Sequence, residues 1–101
     1  MVRHIVMFKL KEFPTAEAKL AQLHEIKEGL ESLTNQIDLL KYIHVDFNIN
    51  PEETWDFILT TELETLEDVK TYSVHPAHVA VVKKSIAPYK ADRACVDYEV
   101  F

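Results

Sequence analysis

Val2-Arg3-His4-Ile5-Val6-Met7-Phe8-Lys9-Leu10-Lys11 alternates without a break. His4, Val6, Phe8 and Leu10 fall on one side of an extended chain. Arg3, Ile5, Met7, Lys9 and Lys11 fall on the other, the period of two that marks a strand with one buried face. Pro14-Thr15 punctuates the run, and from Ala16 the apolar period becomes helical. Ala16, Leu20, Leu23, Leu30 and Leu33 form its stripe, with Ile26 and Lys27 straddling it. The lone glycine, Gly29, sits inside this helix. It costs about 1 kcal/mol relative to alanine, and close packing against a strand is one reason to keep it. Thr34-Asn35 ends the helix.

Residues 37–49 alternate again, with Leu39, Ile43, Val45, Phe47 and Ile49 on one face and Leu40, Tyr42 and His44 on the other. The stretch 48–53, with Pro51, reads as a turn. Trp55, Phe57, Leu59, Thr61 and Leu63 make the apolar face of a third strand. Thr65-Leu66-Glu67-Asp68 resembles a capping box with aspartate in the last place. It opens a short helix with Leu66, Val69 and Tyr72 on one side. Pro76 pushes His75 out of the α region and can itself start a new helix. That helix carries Val79, Val82 and Ile86 inward and shows Lys83 and Lys84 to water, until Pro88 stops it. Ala94, Val96, Tyr98 and Val100 give the last strand.

The order βαββαβ predicts an α+β, ferredoxin-like sandwich over residues 1–101, a single domain whose four-stranded antiparallel sheet carries its helices on one face. The uncovered face would then show Ile5, Met7, Leu40, Tyr42, His44, Ile58 and Cys95. Monomers rarely expose so large a mixed apolar surface. Pairing two sheets face to face would bury it, which predicts a symmetric homodimer.

Composition excludes several functions. The chain has 11 basic and 17 acidic residues, a formal net charge of −6, and its only adjacent basic pair is Lys83-Lys84. It lacks the electrostatic footprint of a nucleic-acid binder. One glycine cannot build a P-loop or a dinucleotide fingerprint, and His24-Glu25 does not continue into H-E-x-x-H. The single cysteine, Cys95, precludes an internal disulfide and a multi-cysteine zinc site, and suits a cytoplasmic protein. As a residue of a central strand, Cys95 reads as a buried small apolar side chain. Residues 2–10 are too short and too charged for a signal peptide, and no apolar stretch nears the roughly 20 residues that cross a bilayer.

The chemistry-bearing stretch is Tyr72-Ser73-Val74-His75-Pro76-Ala77-His78, two histidines astride a proline at a helix joint. Together with His4-Ile5-Val6-Met7-Phe8-Lys9-Leu10 it resembles the stress-responsive A/B barrel (Dabb) family, over nearly the whole chain. The resemblance implies a dimeric α+β barrel. It does not imply one activity. Most bacterial members have no assigned activity, and some plant members are stress proteins. One plant member is a polyketide cyclase working by aldol condensation without metal or cofactor. The resemblance places its catalytic tyrosine and histidine at Tyr72 and His78, and a cavity histidine at His4. The bulky stretch from Val79 to Val82 departs from a more open, glycine-containing one in that enzyme.

His78, in the first turn of its helix, would be kept neutral by the helix dipole and by burial, the state of a general base beside a carbonyl. Tyr72 would donate to an enolate oxygen, and His4, on the helix-facing side, would meet His78 across the core. Val6, Phe8, Trp55, His75, Val79 and Val82 would line the pocket, for a small apolar ligand and with no cofactor. A small-molecule site of this kind calls for a void of roughly 300 Å³ or more. The structural alternatives are a histidine N-cap at His75, a core tyrosine at Tyr72 with its hydroxyl at the rim, a His78 that caps its helix and hydrogen-bonds inside the core, and a His4 that only neighbours Tyr72. His75, His78 and His4 as a metal site is disfavoured, because the proline between the first two sends them in different directions. His24 reads as helix surface and the acidic residues 62–68 as a solvated strand end and helix start. Two readings stand: a homodimeric barrel that binds a ligand or serves structurally, and a cofactor-independent lyase, cyclase or isomerase.

Overall fold

In the computed structural model, which describes residues 1–100, the alternating stretch is β1 (Val2–Leu10), at the centre of the sheet. It is followed by α1 (Ala16–Glu31), β2 (Tyr42–Phe47), β3 (Phe57–Leu63), α2 (Leu66–Val74), α3 (Pro76–Val81) and β4 (Lys90–Glu99). The sheet order is β2-β3-β1-β4, and every pairing is antiparallel. β1 and β3 are central; β2 and β4 are edges.

The register sorts the side chains. Ile43, Thr61, His4 and Asp97 form one row across the sheet, Val45, Leu59, Val6 and Cys95 the next, and Phe47, Phe57, Phe8 and Arg93 the third. These rows face the helices, since Val6, Leu59 and Phe57 lie in the core with Leu23, Ile26, Leu30 and Leu33. Phe8 and Phe57 stack at 5.0 Å between centroids. The opposite rows are Tyr42-Glu62-Arg3-Tyr98, His44-Thr60-Ile5-Val96 and Asp46-Ile58-Met7-Ala94. Among the described residues no helix covers them, and Tyr42, Val96 and Tyr98 are exposed.

Several sequence expectations change. Cys95 lies on an edge strand, on the helix-facing side opposite Val6, and is exposed. The helices shelter β1 and β3 but stop short of β4, so neither burial nor the open face holds for it. The second strand is shorter than 37–49: a turn at 38–39 breaks the alternation, sends Leu40 into the core and leaves Ile49 exposed. Along α1, Ile26 is fully buried while Leu20 is half exposed, so the stripe runs through Ile26. Leu66, at the first position of α2, is also exposed. Gly29 packs against α3 and not a strand; a Cβ there would meet Val81 Cγ1 at 3.1 Å.

The joint forms as the proline dictates. Thr65 caps α2, its Oγ1 accepting from the Asp68 amide at 3.1 Å. α2 ends at Val74, His75 is extended (φ −62°, ψ 134°), and Pro76 starts α3. The helix then widens into a π turn over Val82–Ile86, a local feature often found beside functional sites. Because Thr65 starts the helix that holds Tyr72, Thr65→Ala is expected to cost about 1 kcal/mol, the usual worth of a lost cap. For a domain of this size that lowers the melting temperature by about 4–8 °C, measurable by circular dichroism.

Candidate functional site

His4, Tyr72 and His78 converge. Tyr72, 1% exposed, lies edge-on to His4 (centroids 6.4 Å, 73°) and tilted against His78 (4.4 Å, 46°). His4 is buried because β1 is central and its side chain faces the helices. Tyr72 comes from the inner face of α2, His78 from the first turn of α3.

The geometry defines the state of each group. The Nδ1 of His78 lies 3.0 Å from the Ser73 carbonyl. A carbonyl only accepts, so Nδ1 carries the proton and Nε2 of the neutral ring keeps a free lone pair. Burial lowers the His78 pKa; the hydrogen bond to the Ser73 carbonyl works against this, and the charge of Arg93 adds a smaller lowering. Burial alone pushes the Tyr72 phenol well up, so it stays a neutral donor. The Tyr72 hydroxyl is buried and has no hydrogen-bond partner among the described residues. His4 uses Nδ1 to hold the Asp97 carboxylate.

Beside this cluster is a cavity of about 160 Å³. His4, Ser73 and His78 line it together with Val6, Phe8, Leu30, Leu59, Val82, Ile86 and Ala87, and exposed Lys90 and Arg93 stand on its solvent side. Its volume is about half of the void expected from the sequence. Of the residues placed in the pocket by sequence, Val6, Phe8 and Val82 line it. Trp55, His75 and Val79 lie elsewhere, and Tyr72 is not on the wall but in ring contact with His4 and His78, which are. Trp55 precedes β3 and borders a separate depression with Met7, Phe47 and Ile58. His75 turns its Nδ1 back to the Ala77 amide at 3.1 Å, as a helix cap. Val79 follows His78 by one position, which carries it about 100° round the helix and off the cavity wall.

His75 and His78 each commit Nδ1 to the backbone, and among the described residues they form no cluster of ligating atoms with His4. A different donor set does: nitrogen of His4, sulfur of Cys95 and oxygen of Asp97 lie within 4.8 Å of one another. Although Cys95 is exposed, the partial desolvation of its sulfur and then the Asp97 charge raise its pKa, against a smaller lowering by Arg93. The His4–Asp97 hydrogen bond accounts for this proximity. Sequence reasoning missed Lys90, Arg93 and Asp97, because no motif marks them. Only the strand register brings them to the histidines.

A βαββαβ chain with this strand order and helices on one face is a ferredoxin-like α+β protein. The chain belongs to the stress responsive A/B barrel domain family, whose profile matches residues 2–100. It is similar to a crystal structure of a dimeric, ferredoxin-like protein of unknown function from Bacteroides fragilis. That protein is 45% identical, with a TM-score of 0.90, covering 98% of this chain and 95% of the other. Olivetolic acid cyclase of Cannabis sativa is 30% identical over 81 residues, 77% of this chain and 76% of the cyclase. A stress-response A/B barrel domain-containing protein of Arabidopsis thaliana is 29% identical over 100 residues, 97% of this chain; the chain spans 36% of that protein. Among the described residues no helix is long and apolar enough to cross a membrane.

Proposed function

We propose that this chain binds a small carbonyl compound in the cavity beneath α3 and exchanges its α-proton without a cofactor. One observation carries the reading. Among the described residues the hydroxyl of Tyr72 is buried without a partner, in ring contact with a histidine whose tautomer leaves Nε2 free. Such a hydroxyl costs about 1–3 kcal/mol, a cost that a ligand oxygen would offset. In the reaction, His78 Nε2 takes a proton from the carbon beside the carbonyl. The carbonyl electron pair moves onto oxygen, which reaches between the His4 and His78 rings to accept a hydrogen bond from Tyr72, and the proton on His78 exchanges with solvent before one returns to carbon. His4, tied to Asp97, supports the Tyr72 ring. The volume sets the size of ligand: an apolar cavity of about 150 Å³ holds benzene, so the compound is about that large. Similarity to olivetolic acid cyclase supports carbonyl chemistry as a class. The test is α-deuterium exchange of a simple methyl ketone in heavy water, followed by NMR. No exchange above buffer would end the reading of the site as a base.

We also propose that the protein acts as a homodimer joined through the open sheet face. The exposed Tyr42, Val96 and Tyr98 on that face and the dimeric relative support this. Val96→Glu puts a charge on that face and is expected to move the protein from dimer to monomer in size-exclusion chromatography with light scattering. An unchanged mass would locate any dimer elsewhere.

A further inference from the structure

The cavity has an asymmetric electrical wall. Its inner lining is apolar, with the histidines and Ser73, and its solvent side carries Lys90 and Arg93. No aspartate or glutamate lines it among the described residues. Neither Lys90 nor Arg93 forms an ion pair among those residues, and the nearby carboxylate of Asp97 is engaged by His4.

The two cations reach this place by different routes. Arg93 is opposite Phe8 in the regular register and so faces the helices. Lys90 would face the open side by simple alternation. The register shifts between Lys9 and Leu10, so that Lys9 pairs with Asp92 and Leu10 with Lys90, leaving Ala91 as an extra residue. That bulge turns Lys90 to the side of Leu10, which is buried beneath the helices. Arg93 is also close enough for its charge to act on His78, with a smaller effect than burial.

We propose that the ligand carries a carboxylate as well as its carbonyl group, the carboxylate held by Arg93 and Lys90 and the carbonyl reaching inward to His78. This rests on the reading of the site given above. A planar guanidinium grips a carboxylate through two parallel hydrogen bonds, and Lys90 adds a point charge. The apolar lining then takes the chain between the two groups. The ligand class is a short keto acid.

The experiment compares α-deuterium exchange of levulinate with that of methyl propyl ketone, the same skeleton with a methyl in place of the carboxylate. The full-length protein is used, with Arg93→Gln and Lys90→Gln as variants. Their exposed edge positions leave the core intact, which thermal melts check. The expected kcat/KM for levulinate exceeds that of the ketone at least about tenfold, from charge-assisted hydrogen bonds. Arg93→Gln removes most of that preference, Lys90→Gln part of it, and added salt weakens it in the wild type. Equal kcat/KM for the two probes, or a preference untouched by both variants, overturns the carboxylate site and leaves the carbonyl reading standing; Lys90 and Arg93 would then be charges that guard an edge strand. Exchange of neither probe overturns both.

Discussion

His78→Gln is expected to lower the α-exchange rate by about 10²–10⁴-fold, the usual contribution of a positioned general base. The fold should tolerate it. His78 is half-buried, and a glutamine amide can still donate to the Ser73 carbonyl. The melting temperature at neutral pH should therefore change little. The pH dependence makes the result diagnostic. The folded pKa of His78 lies below its ordinary value of 6.5, so the neutral ring is already present in mildly acidic solution. The wild-type rate should rise with pH through that lowered pKa and be level by neutral pH. Stability follows the same group. Below pH 6.5 the unfolded chain takes up the proton more readily than the folded one, so the unfolded state binds more protons. The contribution of His78 is thus present in full above 6.5 and is lost as pH falls through the folded pKa. His78→Gln should flatten that part of the stability profile, measured by urea titration at several pH values. A rate loss without the flattening would mean that His78 acts on the substrate from an unperturbed, solvated state. Flattening without rate loss would leave it a buried structural histidine.

The difference between what the sequence shows and what it hides follows the same physics. β1 was legible because it is central: both neighbours and the helices constrain it, so hydrophobic alternation and true facing coincide. The joint at Pro76 was legible because proline restricts both itself and His75, whatever the tertiary context. His4, Tyr72 and His78 could be placed together from those two facts and the family resemblance. β4 was legible as a strand but not in its facing. On an edge beyond the helices, its apolar residues Ala94, Val96 and Tyr98 turn to the open side. The side facing the helices holds Arg93, Cys95 and Asp97. Apolar pattern marks a covered face, and in a chain with a bare sheet the covering would come from another molecule. The bulge at Ala91 leaves no local signature, so Lys90 at the cavity could not be read at all. Trp55 failed for the opposite reason. Its alternation with Phe57 is present in sequence, yet the strand begins only at Phe57.

Tyr72→Phe separates a site tyrosine from a core tyrosine, because stability and function should move in opposite directions. The ring of Tyr72 fills the space between His4 and His78, and phenylalanine keeps that packing. The hydroxyl is buried without a partner among the described residues, so its removal relieves a desolvation cost and opens only a small void. The expected gain is about 1 kcal/mol, a rise of about 4–8 °C in melting temperature for a domain of this length. The exchange rate should fall about 10²–10³-fold, the loss typical of one donor to a developing oxyanion. No shift in the pH profile should accompany it, since the Tyr72 phenol is held neutral far above the working range. A more stable variant with undiminished exchange would make Tyr72 core packing and nothing more. A less stable variant would show that the hydroxyl has a partner in solution, and the cost assigned to it would be wrong. Stability gained and exchange lost together are what a group kept for a ligand gives, because the fold alone has no use for that hydroxyl.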